Sequence, residues 1–269
     1  MIHVKDFAVH AALEAGKLLV QRFGSINEIS FKGEIDLVTE ADRQSERFLI
    51  DRIRSVFPDH DILSEESPPL STGAEYRWII DPLDGTTNYA HGFPFFCVSI
   101  ALERKGVVVL GVVFDPLRNE LFTAEKGTGA FLNTQPLRVS QRARLSDSLL
   151  ATGFPYDIRV NPDNNLNHFG NMALRARAIR RAGSAALDLA CLAAGRFDGF
   201  WELRLHPWDT AAGTLLVTEA GGLVTDLGGN EYHLESPAVV ASNSFIHQDM
   251  LAVIAGGMSG DSSDQKLGK

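Results

Sequence analysis

The chain has 269 residues, of which 45% are hydrophobic and 22% charged, and its formal net charge is −9 at pH 7. This composition is typical of a folded domain with a sizeable core, and the negative charge disfavours direct binding to nucleic acid. No apolar run has the length of a membrane span, and the first residues lack the basic and apolar regions of a signal peptide. We therefore expect a cytoplasmic protein that binds neither membranes nor nucleic acid.

Two amphipathic helices are predicted near the start of the chain. Apolar residues recur at three-four spacing from Val4 to Phe23. The run Thr39-Glu40-Ala41-Asp42 resembles a capping box, and it begins a second predicted helix that ends before Pro58. Strand patterns then follow at residues 61–63, 76–80, 96–102, 107–114 and 120–124. Short turns join the last three of these strands, which favours antiparallel pairing.

The second half of the chain alternates between short strands and helices. Strand patterns lie at residues 148–152, 178–180, 199–201, 223–225 and 238–241, with helical patterns at 165–175, 184–194, 208–220 and 246–254 between and after them. This alternation predicts a layered α/β protein with two sheets. No internal linker is visible, so we expect one domain over residues 1–256, with subdomains at about 1–140 and 141–256, and a disordered tail at 257–269.

The most informative motif is Asp81-Pro82-Leu83-Asp84-Gly85-Thr86-Thr87-Asn88, which directly follows the apolar residues Trp78-Ile79-Ile80. Two carboxylates therefore stand at the end of a predicted strand, beside a glycine turn and two hydroxyl groups. Oxygen ligands in this position suit Mg²⁺, which commonly binds through a few carboxylates and substrate phosphate. The alternative is a turn stabilised by Asx hydrogen bonds. The complete octet after an apolar strand favours the metal site.

This octet resembles the first signature of the inositol monophosphatases, a family within the lithium-sensitive, Mg²⁺-dependent phosphatase superfamily. A second block, Trp208-Asp209-Thr210-Ala211-Ala212-Gly213 continuing through Glu219-Ala220-Gly221-Gly222, is similar to the family's C-terminal signature. The resemblance covers roughly residues 4 to 256. It implies a five-layer αβαβα sandwich and a homodimer. It also implies a Mg²⁺-dependent, lithium-sensitive phosphomonoesterase that hydrolyses inositol monophosphates to inositol and inorganic phosphate.

The resemblance also implies the ligands of the metal site. Two or three Mg²⁺ ions per active site would be held by Glu65, Asp81, the backbone carbonyl of Leu83, Asp84 and Asp209. Glu66 would orient Glu65 or a metal-bound water. Without the resemblance, the two glutamates would be interpreted as a solvated loop, and Asp209 as a helix cap. Ser64 stands where the family usually has glycine, which affects the loop more than the ligands.

Further matches concern catalysis and substrate binding. Thr86 is similar to the family's threonine beside the nucleophilic water, and Asp42 to the carboxylate that accepts its hydroxyl proton or hydrogen bond. Asp42 has an equally good structural interpretation as the acidic partner of the Thr39 cap. Glu202 precedes Asp209 by the same offset as the family's glutamate that binds inositol hydroxyls; the alternative is an exposed strand position. The substrate-binding residues implied by the resemblance are Gly85, Thr86, Gly183, Ser184, Ala185, Glu202 and Asp209.

Several alternatives stay open on the sequence. Relatives that act on fructose 1,6-bisphosphate or histidinol phosphate share the metal scaffold, and some bacterial relatives regulate transcription through protein binding alongside catalysis. Lys32 resembles a mobile-loop lysine of the family. Arg180 and Arg181 could approach phosphate, but a dimer interface or a solvated strand edge is favoured for them.

Overall fold

The computed structural model describes residues 3–24, 29–31 and 37–256. Lys32 and the tail at 257–269 lie outside these ranges. The helices within the described ranges are α1 (Val4–Arg22), α2 (Glu40–Val56), α3 (Thr86–Ala90), α4 (Leu166–Ala173), α5 (Ala185–Ala193), α6 (Pro207–Glu219) and α7 (His247–Ala255), with a short 3₁₀ turn at Leu145–Asp147. No helix in the described ranges combines the length and the apolar character that crossing a membrane requires.

The strands of the described residues form two large sheets and a small one. The small sheet pairs β1 (Ile29–Phe31) with β2 (Leu37–Thr39). The seven-stranded sheet follows chain order through β3 (Asp61–Ser64), β4 (Tyr76–Asp84), β5 (Cys97–Arg104), β6 (Val107–Asp115), β7 (Glu120–Glu125), β8 (Gly129–Leu132) and β9 (Gln135–Pro136). The five-stranded sheet has the order β11-β10-β12-β14-β13, with β10 (Leu149–Thr152), β11 (Ala178–Arg180), β12 (Gly199–Leu203), β13 (Leu223–Thr225) and β14 (Ala238–Ser242).

Three apolar clusters stack the elements into layers. Helices α1 and α2 pack on one face of the seven-stranded sheet, where Leu19, Leu49 and Trp78 belong to one buried apolar cluster. Helices α5 and α6 fill the space between the two large sheets. Helices α4 and α7 cover the far face of the five-stranded sheet, where Met172 and Met250 pack with strand residues. The predicted five-layer αβαβα sandwich is confirmed.

Glycine allows helix α6 to lie very close to its neighbours. A Cβ atom built on Gly111 of β6 would lie 2.8 Å from the carbonyl oxygen of Ala212, and one on Gly213 would lie 2.6 Å from the Cβ of Leu189. Such distances are far inside van der Waals contact, so a larger residue would push α6 away from the sheet or from α5. Because Asp209 lies in the first turn of α6, this packing fixes its position relative to the seven-stranded sheet.

The structure extends the sequence prediction and corrects it at the acidic motif. The strand predicted at 76–80 continues to Asp84, and its register with β5 shifts between Asp81 and Asp84. The prediction that the strand ends before Asp81 was wrong, because this bulge accommodates Pro82 within the strand. Helix α3 and strands β1, β2, β8 and β9 were not predicted. The other helices and strands agree with the patterns described above, including antiparallel pairing of β5, β6 and β7.

Asp61 stabilises the loop that follows β3. Its carboxylate accepts hydrogen bonds of 2.7 to 3.1 Å from the hydroxyl and N–H of Thr72 and the N–H groups of Gly73 and Ala74. Burial by itself would raise the pKa of Asp61, but these hydrogen bonds outweigh it and hold the pKa below its ordinary value of 3.8.

We expect Asp61→Asn to lower the free energy of unfolding at pH 7 by about 1–3 kcal/mol, since hydrogen bonds to a charged acceptor are lost. The folded-state pKa is depressed, so this stabilisation is present above the unfolded-state pKa and disappears as the pH falls through the folded-state value. Urea titrations of the wild type and Asp61→Asn at several pH values measure the difference in their free energies of unfolding, which should shrink below about pH 4. The exposed Asp59→Asn is the matched control. Equal stability of all three proteins at pH 7 would contradict the prediction.

Candidate active site

One cleft contains most of the residues singled out from the sequence. Its walls come from Glu65 and from residues within the segments 81–87, 152–156, 181–188 and 202–209. The cleft therefore lies where the acidic end of β4 meets the N-terminal ends of α5 and α6 and the end of β12. Residues from both halves of the chain are needed to form it.

Asp84 joins the two halves of the chain within the cleft. Its Oδ2 atom accepts hydrogen bonds of 2.7 Å from the hydroxyl of Ser184 and from the N–H of Ala186. Both donors belong to the N-terminal end of α5, where the helix dipole also favours a negative charge. Burial raises the pKa of Asp84 to about 6, although these hydrogen bonds oppose the rise. The carboxylate is thus held in a fixed orientation but is costly to ionise without a nearby cation.

Three further carboxylates lie near Asp84. Asp81 is buried, and its Oδ1 accepts a 3.0 Å hydrogen bond from the N–H of Leu83. The Oδ2 of Asp209 accepts a 2.7 Å bond from the N–H of His206, so the capping role considered from the sequence is present. Burial raises the pKa of Asp81 well above its ordinary value, and the charges of Glu65, Asp84 and Asp209 raise it further. This mutual repulsion is what bound cations would relieve.

The donor set in this cleft fits hard divalent cations. Asp81, Asp84 and Asp209 each have one carboxylate oxygen that accepts a hydrogen bond from a protein donor and is thereby fixed in orientation. Among the described residues, no three acidic, histidine or cysteine side chains are gathered tightly enough to form a complete metal-ligand group. Oxygen donors spread along a cleft suit Mg²⁺, which is commonly bound through a few carboxylates, waters and substrate phosphate.

Thr86 and Asp42 form a hydrogen-bonded pair at the edge of the cleft. The hydroxyl of Thr86 lies 2.9 Å from Oδ1 of Asp42 and 3.1 Å from the carbonyl oxygen of Leu83. Asp42 is fully buried in the first turn of α2 and does not itself line the cleft. A threonine hydroxyl that donates to a buried carboxylate presents its oxygen lone pairs to the cleft.

Two glycine turns meet beside this pair. Gly85 has φ of +99°, and a Cβ atom there would lie 3.0 Å from the carbonyl oxygen of Phe95 and 3.3 Å from that of Gly183. The amide of Asn88 donates to the carbonyl oxygens of Phe95 at 2.7 Å and Ala182 at 2.9 Å. The last residue of the octet therefore connects the Gly183-Ser184-Ala185 loop to helix α3. Sequence reasoning gave Asn88 no role, although its place in the octet was a signal.

Glu202 lies in the wall of the cleft opposite the acidic motif. Its side chain is packed on Gly153, because a Cβ atom there would lie 2.0 Å from Oε1 of Glu202. Burial raises the pKa of Glu202 to about 8, with Arg181 opposing the rise and Asp84 adding to it. Glu202 is 9% exposed, so the solvated strand position considered from the sequence is wrong.

The remaining candidates occupy varied positions. Glu65 lines the cleft. The next residue, Glu66, is not part of the lining, and its N–H lies 3.1 Å from Oε1 of Glu46. Arg180 is exposed on the edge strand β11, as favoured from the sequence. Arg181 instead lines the cleft. Its place in the chain just before Gly183 was the signal that sequence reasoning missed.

The layered fold and the acidic cleft together define the class, which is that of metal-dependent phosphoric monoester hydrolases. The sequence profile described as the inositol monophosphatase family matches residues 2–257, and the chain belongs to this family. It is 46% identical over 249 residues to an inositol-1-monophosphatase of Rhizobium meliloti, covering 91% of this chain and 94% of that one.

Two other comparisons give the same family. The Nus factor SuhB of Pseudomonas aeruginosa is 47% identical over 256 residues, which cover 93% of this chain and 94% of that protein. The structure of inositol monophosphatase from Anabaena superposes with a TM-score of 0.86 at 44% identity, covering 94% of this chain and 96% of that one. Both similarities extend through the two halves of the chain that form the cleft.

Proposed function

We propose that the protein is a Mg²⁺-dependent phosphomonoesterase that hydrolyses inositol monophosphates to inositol and inorganic phosphate. The observation that carries the proposal is the meeting of Glu65, Asp81, Asp84 and Asp209 in one cleft beside the Thr86 hydroxyl. These carboxylates and the Leu83 carbonyl would hold two or three Mg²⁺ ions, as in the family resemblance. The bound ions would supply Lewis acidity and neutralise charge on the phosphoryl group and the leaving oxygen.

In this proposal the chain's own residues orient the reactants. The Thr86 hydroxyl donates to Asp42 and accepts a hydrogen bond from the attacking water, whose lone pair is thereby directed at phosphorus. Backbone N–H groups of Gly85 and Thr86 contact the phosphate, and Glu66 orients Glu65. Gly183, Ser184 and Ala185 form the wall that faces the polyol.

Glu202 would determine the substrate class. A buried carboxylate that receives no hydrogen bond from a described residue can accept from substrate hydroxyls, which an apolar wall would leave unpaired. This favours a polyol phosphate over a phosphate ester that lacks hydroxyl groups. Fructose 1,6-bisphosphate and histidinol phosphate remain the competing substrates.

We expect Glu202→Gln to lower kcat/KM for inositol 1-phosphate by about 1–3 kcal/mol at a pH above about 8, where Glu202 is ionised and the substitution weakens a hydrogen bond to a charged acceptor. Hydrolysis of p-nitrophenyl phosphate should change little, since its leaving group has no hydroxyls to reach Glu202. Steady-state kinetics with both substrates at saturating Mg²⁺ measure the contrast. Equal losses on the two substrates would assign Glu202 to the metal site or the fold instead.

The proposed function is tested by phosphate release from sugar, polyol and nucleotide phosphates, with Mg²⁺ and after its removal by a chelator. Inositol monophosphate should be the preferred substrate, and lithium should inhibit its hydrolysis. A preference for fructose 1,6-bisphosphate or histidinol phosphate would identify that compound, instead of inositol phosphate, as the substrate. Activity that survives complete metal removal would overturn the metal assignment.

We also propose that residues 1–256 form one catalytic domain that acts as a cytoplasmic homodimer. Apolar side chains exposed within the segment 156–174 support a dimer interface there. In this segment Tyr156 is 57%, Val160 85%, Leu166 52% and Leu174 83% exposed. Sedimentation equilibrium should give twice the 29.4 kDa mass of one chain. A mass of one chain at micromolar concentration would contradict the dimer.

A second candidate role is regulation of transcription through a protein partner. It is favoured by the 47% identity to the protein named Nus factor SuhB in Pseudomonas aeruginosa. An inactive Asp84→Asn variant separates the two roles in cells that lack the wild-type gene. Restoration of normal growth by this variant would support a role independent of catalysis, and failure to restore it would support catalysis alone.

A further inference from the structure

One face of helix α2 carries three buried polar residues. Asp42, Ser45 and Glu46 are 0%, 0% and 6% exposed, and their spacing along the helix places them side by side. Asp42 accepts the hydrogen bond from Thr86 described above, and the hydroxyl of Ser45 donates a 2.8 Å hydrogen bond to the carbonyl oxygen of Pro82. Two of the three residues therefore hold the acidic octet, whereas Glu46 has no role in the proposed reaction. A buried carboxyl group is costly unless it is hydrogen-bonded, so its partners indicate its function.

Glu46 binds the loop that follows β3 through both of its carboxylate oxygens. Oε1 accepts a 3.1 Å hydrogen bond from the N–H of Glu66, and Oε2 accepts a 2.7 Å hydrogen bond from the hydroxyl of Ser67. One side chain thus holds two consecutive residues of the loop, one by its backbone and one by its side chain. Two such bonds to one planar group fix the orientation of the loop as well as its position.

The held residues directly follow Glu65, which lines the cleft. Strand β3 pairs in parallel with β4, and the last paired position joins Ser64 to Ile80. Glu65 and Asp81 each follow this pair by one residue. Glu65 is therefore the first residue beyond the paired part of β3, and the direction of its side chain depends on the loop that it begins.

We propose that Glu46 is a positioning residue that holds the loop at Glu66 and Ser67 and thereby keeps Glu65 in the orientation that binds Mg²⁺. The inference rests on the proposed function and adds to it a residue that does not line the cleft. Because Ser45 and Glu46 belong to one helix, α2 also fixes the loop relative to the octet. Residues that orient a metal ligand in this way commonly contribute 10- to 100-fold to metal affinity.

Two substitutions of similar size at position 46 test this role. Glu46→Met removes both oxygen acceptors, and we expect it to weaken Mg²⁺ binding by about 10- to 100-fold. Glu46→Gln keeps an oxygen for the N–H of Glu66 and offers an N–H to the Ser67 hydroxyl, which can also accept. The glutamine variant should therefore stay within about threefold of the wild type.

Mg²⁺ affinity is measured without turnover, from the unfolding temperature of chelator-treated protein as MgCl₂ is added. The MgCl₂ concentration at the midpoint of the rise should increase in Glu46→Met, and the concentration for half-maximal kcat should increase with it. Ile53→Val is the matched control, since it removes a methyl group from the buried apolar face of the same helix. It should lower the unfolding temperature in the absence of metal and leave the midpoint for MgCl₂ unchanged.

Ser67→Ala tests the loop from its other side and keeps α2 intact. It removes one of the two hydrogen bonds and should weaken Mg²⁺ binding by about 3- to 10-fold, so the inference is tested even where Glu46→Met does not fold. In a Glu46→Met background, Ser67→Ala should cause less than about a twofold further loss, because its acceptor is already absent.

Four results would each overturn the inference. They are unchanged Mg²⁺ affinity in Ser67→Ala, a glutamine variant as impaired as Glu46→Met, an equal loss of affinity in Ile53→Val, and multiplied losses in the double variant. Failure of the proposed function itself would be visible in the wild type, whose unfolding temperature and activity would then not respond to Mg²⁺.

Discussion

Asp84→Asn is expected to abolish turnover while leaving the protein folded. Asparagine retains an oxygen acceptor for the Ser184 hydroxyl and the Ala186 N–H, so the link between the two halves of the chain persists. The substitution removes the negative charge that would bind a Mg²⁺ ion in the proposed site. A loss of about 4 kcal/mol of transition-state stabilisation corresponds to a fall in kcat of roughly a thousandfold or more.

The measurement combines kinetics with thermal unfolding. Mg²⁺ that binds the folded state raises the unfolding temperature of the wild type, and this rise should be lost or strongly reduced in Asp84→Asn. Asp249→Asn, at an exposed position on α7, is the matched control and should retain both activity and the Mg²⁺ effect. A variant that keeps more than about a tenth of wild-type kcat at saturating Mg²⁺ would show that the metal assignment is wrong.

Thr86→Ala is expected to lower kcat by about 100-fold or more with little change in KM, the effect of losing a group that acts on proton transfer. The hydroxyl that lies 2.9 Å from Asp42 is removed, while the carboxylates of the proposed metal site are unchanged. Thr86→Ser keeps the hydroxyl and should retain most of the activity.

The proposed pairing with Asp42 adds a sharper measurement. Asp42→Asn should also lower kcat, and the double variant should be no slower than the slower single variant, because the two residues act as a unit. A rise in KM at unchanged kcat would instead place Thr86 in substrate binding. Multiplied losses in the double variant would separate the two roles.

Local periodicity was sufficient to predict the order of the main helices and strands. The apolar spacing of α1 and the alternation of strands and helices in the second half are local patterns, visible in a short stretch of neighbouring residues. The bulge between Asp81 and Asp84 was not predictable in this way, because strand register depends on pairing with β5. Helix α3 is only five residues long, too short to show a helical period.

The sequence by itself determined the family, through two signatures of specific residues, and with it the residue types gathered for the site. Tertiary structure decided how those residues act on one another. Only the fold brings Ser184 to Asp84 and Asp42 to Thr86, and only the fold places Asp188 in the cleft wall. Such contacts join segments far apart in the chain, and their geometry depends on how whole layers pack. A local sequence pattern does not predict that packing, whereas the residue type of each proposed ligand is given directly by the sequence.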